Sequence, residues 1–323
     1  MHPRHLLRFL AALGSIALVA GACTASGAGP EATARTASPS AVGGSAPFIP
    51  QIISSEAIVG QNRFLFGILD AAGTKTIASP SLAVQVGFTP LPAGSPEPGA
   101  SVAGSPPAPI PPKPATFIWA IPDERGVYVV DPTFPSAGDW IASFSASGGT
   151  VQPGTVNVQF PVSEKGLAIP IGGKAPATKT PTAATPADIA RIATDPSPDP
   201  SFYTTSVDEA LSKHEPFVLV FATPAFCVSK QCGPTLDGIK AVAKDEPGML
   251  FINVEPYKLQ YVDGHLQPVE DASNQLQPTD AAQAWGLLSE PWVFVVDGSG
   301  VVRGSFETVV SPEELKAAIA AVR

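Results

Sequence analysis

Three cysteines stand in this chain of 323 residues, and two of them, Cys227 and Cys232, are separated only by Val228-Ser229-Lys230-Gln231. Two thiols on one short loop can form a disulfide, but that bond closes too small a loop to restrain the unfolded chain by much. The pair therefore points to redox or recognition chemistry. The alternative is a permanent disulfide that stiffens the loop. No G-x-S-x-G, H-E-x-x-H, P-loop or G-x-G-x-x-G pattern occurs anywhere. A formal charge of -9, from 19 basic and 28 acidic side chains, lacks the basic footprint of a nucleic-acid surface. Three cysteines are also too few for a disulfide-rich scaffold.

The N-terminus indicates the compartment. Arg4 and Arg8 precede an apolar run, Phe9 to Ala22, which is too short to span a bilayer and has the layout of a secretory signal over residues 1–22. It ends in Leu18-Val19-Ala20-Gly21-Ala22-Cys23, which resembles a bacterial lipobox, with Ala20 where Leu is commoner. That resemblance implies lipidation at Cys23 and an extracytoplasmic protein held at the cell membrane by its lipid. Residues 23–48 follow as a small-residue tether. Ordinary cleavage nearby, with Cys23 an incidental thiol, is the other reading. Outside the cytoplasm a Cys227–Cys232 disulfide would persist.

The chain holds 37 prolines and 29 glycines, about a fifth of its residues, and such an excess must be concentrated in spacers if elements are to form. Pro90 to Pro114 carries ten prolines and reads as an inserted surface loop, not as strand interior. Residues 172–200 read as a second spacer, a linker. Between tether and linker, over 49–171, short apolar or alternating runs predict strands at Arg63–Leu69, Leu82–Phe88, Thr116–Ile121, Val127–Val130, Trp140–Phe144 and Val156–Phe160. Short strands between turn signals argue for a small antiparallel β-sandwich. Phe134-Pro135-Ser136-Ala137-Gly138-Asp139-Trp140 resembles a corner of immunoglobulin-like extracytoplasmic modules, with Trp140 read as a core aromatic. No His, Cys or Met lies between residues 47 and 170, so a soft-ligand metal site is not expected there.

From Ser206 the texture changes. Ser206-Val207-Asp208-Glu209 reads as a capping box opening a helix that ends near His214, and Phe217 to Phe221 is an apolar run suited to a strand buried on both faces. A helix with Leu236, Ile239 and Val242 on one face follows, then a strand Met249–Val254 and a helix after Thr279. Strands Trp292–Val296 and Val301–Phe306 flank the turn Asp297-Gly298-Ser299-Gly300, and Ser311-Pro312-Glu313-Glu314 caps a last helix. This order, with Thr223 to Pro234 carrying both cysteines after the first buried strand and Ser289-Glu290-Pro291 before a later one, resembles the thioredoxin-like superfamily over residues 201–323. The fold class expected is thus an all-β immunoglobulin-like sandwich followed by an α/β thioredoxin-like fold. The two parts are expected as compact domains held at flexible reach from the anchor.

The resemblance implies that Cys227, Cys232 and Pro291, a cis-proline facing the thiols, form the catalytic group, with no bound cofactor. The family's C-x-x-C is C-x4-C here. Either Cys227 takes the first position, or Cys232-Gly233-Pro234-Thr235 overlays Cys-Gly-Pro-Cys. The second alignment is preferred because Gly-Pro opens the helix; it makes Cys232 the nucleophile and Cys227 the resolver. His265 could complete a Cys227, Cys232, His265 metal set, as in the Sco-type copper chaperones, though spacing and His placement both depart from theirs. His214 reads as structural at its helix end. Trp285, Trp292 and Tyr257 are candidates for a groove beside Pro291. Glu290 would oppose a thiolate if close, and Lys230 would favour one. The function expected is thiol–disulfide exchange with a protein partner. The alternatives are a non-catalytic binding or scaffold lipoprotein and a copper-handling protein.

Overall fold

The structure, a computed structural model, describes residues 46–92, 107–149 and 151–323. The expected signal, Cys23, nearly all of the expected tether and the middle of the proline-rich segment lie outside the described residues. The fold is rich in β-structure with few, mostly short helices.

The N-terminal half is built from β1 (Ile49–Ile52), β2 (Gly60–Gln61), β3 (Phe64–Leu69), β4 (Leu82–Pro90), β5 (Ile110–Pro114), β6 (Thr116–Ile121), β7 (Arg125–Val130), β8 (Thr133–Phe134), β9 (Gly138–Gly148) and β10 (Val151–Val162). Two four-stranded antiparallel sheets, ordered β1-β3-β7-β6 and β10-β9-β4-β5, share one core. Alternate residues supply it: Phe64, Phe66 and Tyr128 from the first sheet meet Val86, Phe88, Phe144 and Phe160 from the second. Trp140 is buried there against Phe134, its indole N–H donating to the Ser136 carbonyl.

Two expectations about proline need correction. The segment 90–114 is not all loop: β4 runs to Pro90, and Ile110–Pro114 is a strand pairing with β4. It is tolerated because β5 lies at the sheet edge, where Pro111, Pro112 and Pro114 need no ladder N–H. Residues 172–200, expected as a linker, instead pack along the C-terminal half. Gly172 and Ala175 donate backbone hydrogen bonds to Val302 and Gly300, Lys174 bridges Val301, and Ile189 is buried in the core.

The C-terminal half runs α1 (Pro186–Ile189), a 3-10 turn (Pro200–Tyr203), α2 (Val207–Ser212), β11 (Phe217–Phe221), α3 (Cys232–Asp245), β12 (Leu250–Val254), β13 (Leu259–Val262), β14 (His265–Pro268), α4 (Asp280–Ala284), β15 (Trp292–Val296), β16 (Val302–Glu307) and α5 (Pro312–Ala320). The sheet order is β12-β11-β15-β16, with β11 and β12 parallel and the other pairs antiparallel. Strand β11 is buried on both faces. Val218 and Val220 face Leu236, Ile239 and Leu315 of α3 and α5, whereas Phe217, Leu219 and Phe221 face Ala210, Ala281 and Trp285 on the other side. The expected Ser206 capping box does not form. Thr180, from the supposed linker, takes Ser206 Oγ through its N–H at 2.8 Å and caps Val207 N–H with its own hydroxyl at 3.1 Å.

The halves meet directly and all described residues fall within one compact unit. The outer face of the first sheet, Leu65, Ile118, Ala120, Val127 and Val129, packs with Val309. That face is apolar as well as the inner one, so a free, linker-held sandwich would expose it to water. Arg63 adds a two-pronged ion pair to Glu314 at 2.8 and 3.1 Å, and Glu314 also closes the Ser311 capping box of α5. Replacing Glu314 by Ala removes both roles, and we expect a loss of about 2 kcal/mol in urea unfolding. An unchanged midpoint would show that neither contact matters.

Candidate functional site

The site is assembled where β11 ends. The chain leaves the sheet after Phe221, turns through Thr223 to Gln231, and enters α3 at Cys232. Cys227 and Cys232 are joined as a disulfide with Cα atoms 6.1 Å apart. Their exposure differs. Cys232 opens the helix and is fully buried in the core beside Leu236, whereas Cys227 is half-buried in the loop. The helix therefore begins where the Gly-Pro alignment puts it, but the residue that alignment makes the nucleophile has no exposed surface.

Two polar groups approach the sulfur of Cys227. The Cys232 amide, at the N-terminus of α3, donates to Cys227 Sγ at 3.2 Å, and Ser229 Oγ lies 3.2 Å from the same atom. Pro291 follows a cis peptide bond from Glu290, whose carbonyl accepts from Ser229 Oγ at 3.4 Å. Thr235, the residue that the Gly-Pro alignment would set in a second cysteine position, donates to the Thr308 carbonyl and accepts from Gln231. Buried Gln231 also donates to the Ala120 carbonyl at 2.6 Å, which ties the cysteine loop to the N-terminal half.

A carboxylate, that of Glu290, stands beside the sulfurs. Its carboxylate and the two sulfurs all lie within 4.8 Å of one another. Burial raises its carboxyl above the ordinary range, offset in part by Tyr257, whose hydroxyl donates to it at 2.6 Å, and by the Val228 amide. The sequence marked Glu290 as relevant only if close; the turn into β15 makes it close. Lys230 is exposed on the loop. His265 is not brought to the thiols. It sits exposed where β13 turns into β14, and among the described residues the metal-competent group is Cys227, Cys232 and Glu290. That hairpin, read from sequence only as a polar stretch, pairs Val262 with His265, and Arg191 covers its Tyr261 ring at 4.6 Å. Of the three aromatic groove candidates only Tyr257 reaches the site. Trp285 and Trp292 are buried against Phe294, with Trp292 Nε1 donating to Ser305 at 3.0 Å.

A cavity of about 350 Å³ adjoins this group, lined by Arg191, Asn253, Glu255, Tyr257, Lys258 and Asp280 among others. Glu255 is buried, and its Oε1 accepts from the Thr194 amide and hydroxyl, both at 2.6 Å. Its Oε2 makes no hydrogen bond of good geometry, nor does Thr223 Oγ1, though the Thr223 hydroxyl is close enough to the carboxyl to lower it in part. Burial raises the Glu255 carboxyl above its unfolded value of 4.5. Between these two values the folded state binds more protons than the unfolded, so stability falls as pH rises from about 4.5 through the raised folded value. Glu255→Gln removes that slope and the burial of a charge. We expect the variant to be more stable than wild type by about 1–2 kcal/mol at pH 7 and no more stable at pH 4, read as urea midpoints. An equal shift at both pH values would contradict the assignment.

No family model and no curated protein matches the chain. Among solved structures it is similar to the crystal structure of the PmoD soluble domain from Methylocystis sp. ATCC 49242 (Rockwell), 16% identical over 33% of this chain and 75% of that chain, with a TM-score of 0.19. A score so low carries no argument about fold or chemistry.

Proposed function

We propose that this chain is a thiol–disulfide exchange protein whose C-terminal half is thioredoxin-like and whose N-terminal half is an immunoglobulin-like sandwich, exported and held at the membrane through a lipid on Cys23. The observation that carries the reading is the asymmetry of the pair: one cysteine half-buried, its sulfur accepting from the Cys232 amide, the other fully buried at the start of α3. In this reading Cys227, not Cys232, meets the partner. The Cys227 thiolate attacks a disulfide sulfur of the partner and releases one partner thiolate. Cys232 then attacks Cys227 Sγ, which restores the internal disulfide and releases the second partner thiol. The helix-end amide of Cys232 and the Ser229 hydroxyl stabilise negative charge on Cys227.

The test is catalysed reduction of insulin by the full chain, beside a chain with both cysteines changed to Ser. Turnover by the first alone supports exchange. No turnover, together with a reduction potential below about -300 mV as for structural disulfides, would sink it. No helix among the described residues is long and apolar enough to cross a membrane. We expect wild type to sediment with membranes and Cys23→Ser to be released from them; a Cys23→Ser variant that still sediments would remove the anchor.

A second, non-catalytic reading is favoured by the Gln231 bond to Ala120, which builds the cysteine loop into the contact between halves. It expects the doubly substituted chain to bind its partners unchanged.

A further inference from the structure

We propose that the reduced chain binds a thiophilic divalent cation of the Zn²⁺ class through Cys227, Cys232 and Glu290. The inference rests on the exchange reading, since it needs a pair that can be reduced. Two sulfurs and a carboxylate oxygen lie within 4.8 Å of one another. Zinc takes thiolates at about 2.3 Å and carboxylate oxygens at about 2.0–2.2 Å, so tetrahedral ligand atoms stand roughly 3.5–3.8 Å apart, a spacing to which the two bonded sulfurs must separate once reduced. Mixed sulfur and oxygen donors suit a borderline-soft cation better than Mg²⁺ or Ca²⁺, which take oxygen ligands alone.

The surroundings are those of a ligand set. Tyr257 donates to Glu290 Oε2 at 2.6 Å, which orients the carboxylate. The Cys232 amide and Ser229 hydroxyl lie 3.2 Å from Cys227 Sγ, where they support a bound thiolate. Val228, Ser229 and Lys230 are exposed, so the group opens to solvent on the loop side. Three protein ligands leave one coordination position vacant, as in sites that exchange a fourth ligand and unlike closed structural sites. His265 contributes nothing to this set.

Two steps are involved. A dithiol reductant is oxidised to its own disulfide and passes two electrons and two protons to the pair, breaking the Sγ–Sγ bond and leaving two thiols. The cation then displaces both thiol protons, which go to buffer. The oxidised chain offers no thiolate and does not bind.

The experiment uses the full chain with Cys23→Ser, so that only Cys227 and Cys232 report as thiols. It is treated with dithiothreitol, desalted under argon, assayed for thiols, then titrated with Zn²⁺ against a chromophoric chelator. Two thiols and one Zn²⁺ per chain are expected, and no uptake by the oxidised chain. Tyr257→Phe should weaken binding about tenfold and Glu290→Gln by at least as much, with thiol titre unchanged and His265→Ala without effect. Two thiols without Zn²⁺ uptake overturn the site and leave exchange standing. No thiols overturn both readings. Uptake indifferent to Glu290→Gln, or lost with His265→Ala, overturns the ligand set.

Discussion

We expect Cys232→Ser to accumulate covalent complexes with partner proteins and Cys227→Ser to accumulate almost none. In extracts treated with an alkylating agent and resolved without reductant, the first variant should give discrete high-mass bands that collapse on reduction, and both should lose insulin turnover to background. The reason lies in which sulfur can be reached. Cys227 is half-buried on a loop whose next three residues are exposed, while Cys232 is fully buried beneath it. In the exchange reading a partner disulfide approaches Cys227, and once the mixed disulfide forms Cys232, its neighbour in the internal disulfide, resolves it. Removing Cys232 stops the reaction at that point; removing Cys227 leaves a thiol no partner touches. The opposite pattern, with trapping by Cys227→Ser, would restore Cys232 as the nucleophile and require the α3 N-terminus to open.

Among the described glycines, Gly286→Ala should be the most damaging single methyl added. Gly286 follows α4 with φ +68, and its N–H bonds the Gln283 carbonyl while the Leu287 N–H bonds that of Ala282, a Schellman closure of the helix. A Cβ built there would sit 1.7 Å from the Leu167 carbonyl oxygen, a backbone atom that cannot rotate away. The variant must carry the left-handed strain and also push apart two backbone segments, at the point where Ile169 N–H meets the Trp285 carbonyl and Trp285 is fully buried. We expect a loss of about 2–4 kcal/mol in urea unfolding. Gly233→Ala, with nothing within 4 Å of its added carbon, should hold or gain stability and serves as the control. A Gly286→Ala variant within about 0.5 kcal/mol of wild type would mean that the 167–169 segment yields freely.

Much of the fold was legible in local patterns. The alternation in Leu82–Phe88 and Trp140–Phe144 appears as β4 and β9, and the unbroken run Phe217–Phe221 as a strand buried on both faces. The Ser311 capping box and the Thr279 start also appear, because caps are short-range hydrogen bonds written in adjacent residues. The failures share one cause. Ser206 looked like a capping box until Thr180, 26 residues away, took its hydroxyl. Pro111, Pro112 and Pro114 looked like strand breakers until β4 placed them on an edge. Composition made 172–200 a linker, yet its carbonyl and amide groups pair with β16 and the turn before it. Phe64-Leu65-Phe66 and Val127 to Val130 did carry a sign, since a strand with one wet face would alternate and these do not; the partner that covers Leu65 and Val129 could not be named from them.

The candidate site divides along the same line. The sequence by itself determined that two thiols share one loop after a buried strand, that Gly-Pro follows the second, and that a carboxylate precedes Pro291, because each is a matter of residue type and spacing along the chain. The tertiary structure alone decided that Cys232 is sealed and Cys227 reachable, that Glu290 and not His265 stands beside the sulfurs, and that Tyr257 holds that carboxylate while Trp285 and Trp292 pack elsewhere. Burial and proximity between residues 60 positions apart depend on how sheet faces and loops close on one another, and no local pattern encodes that closure.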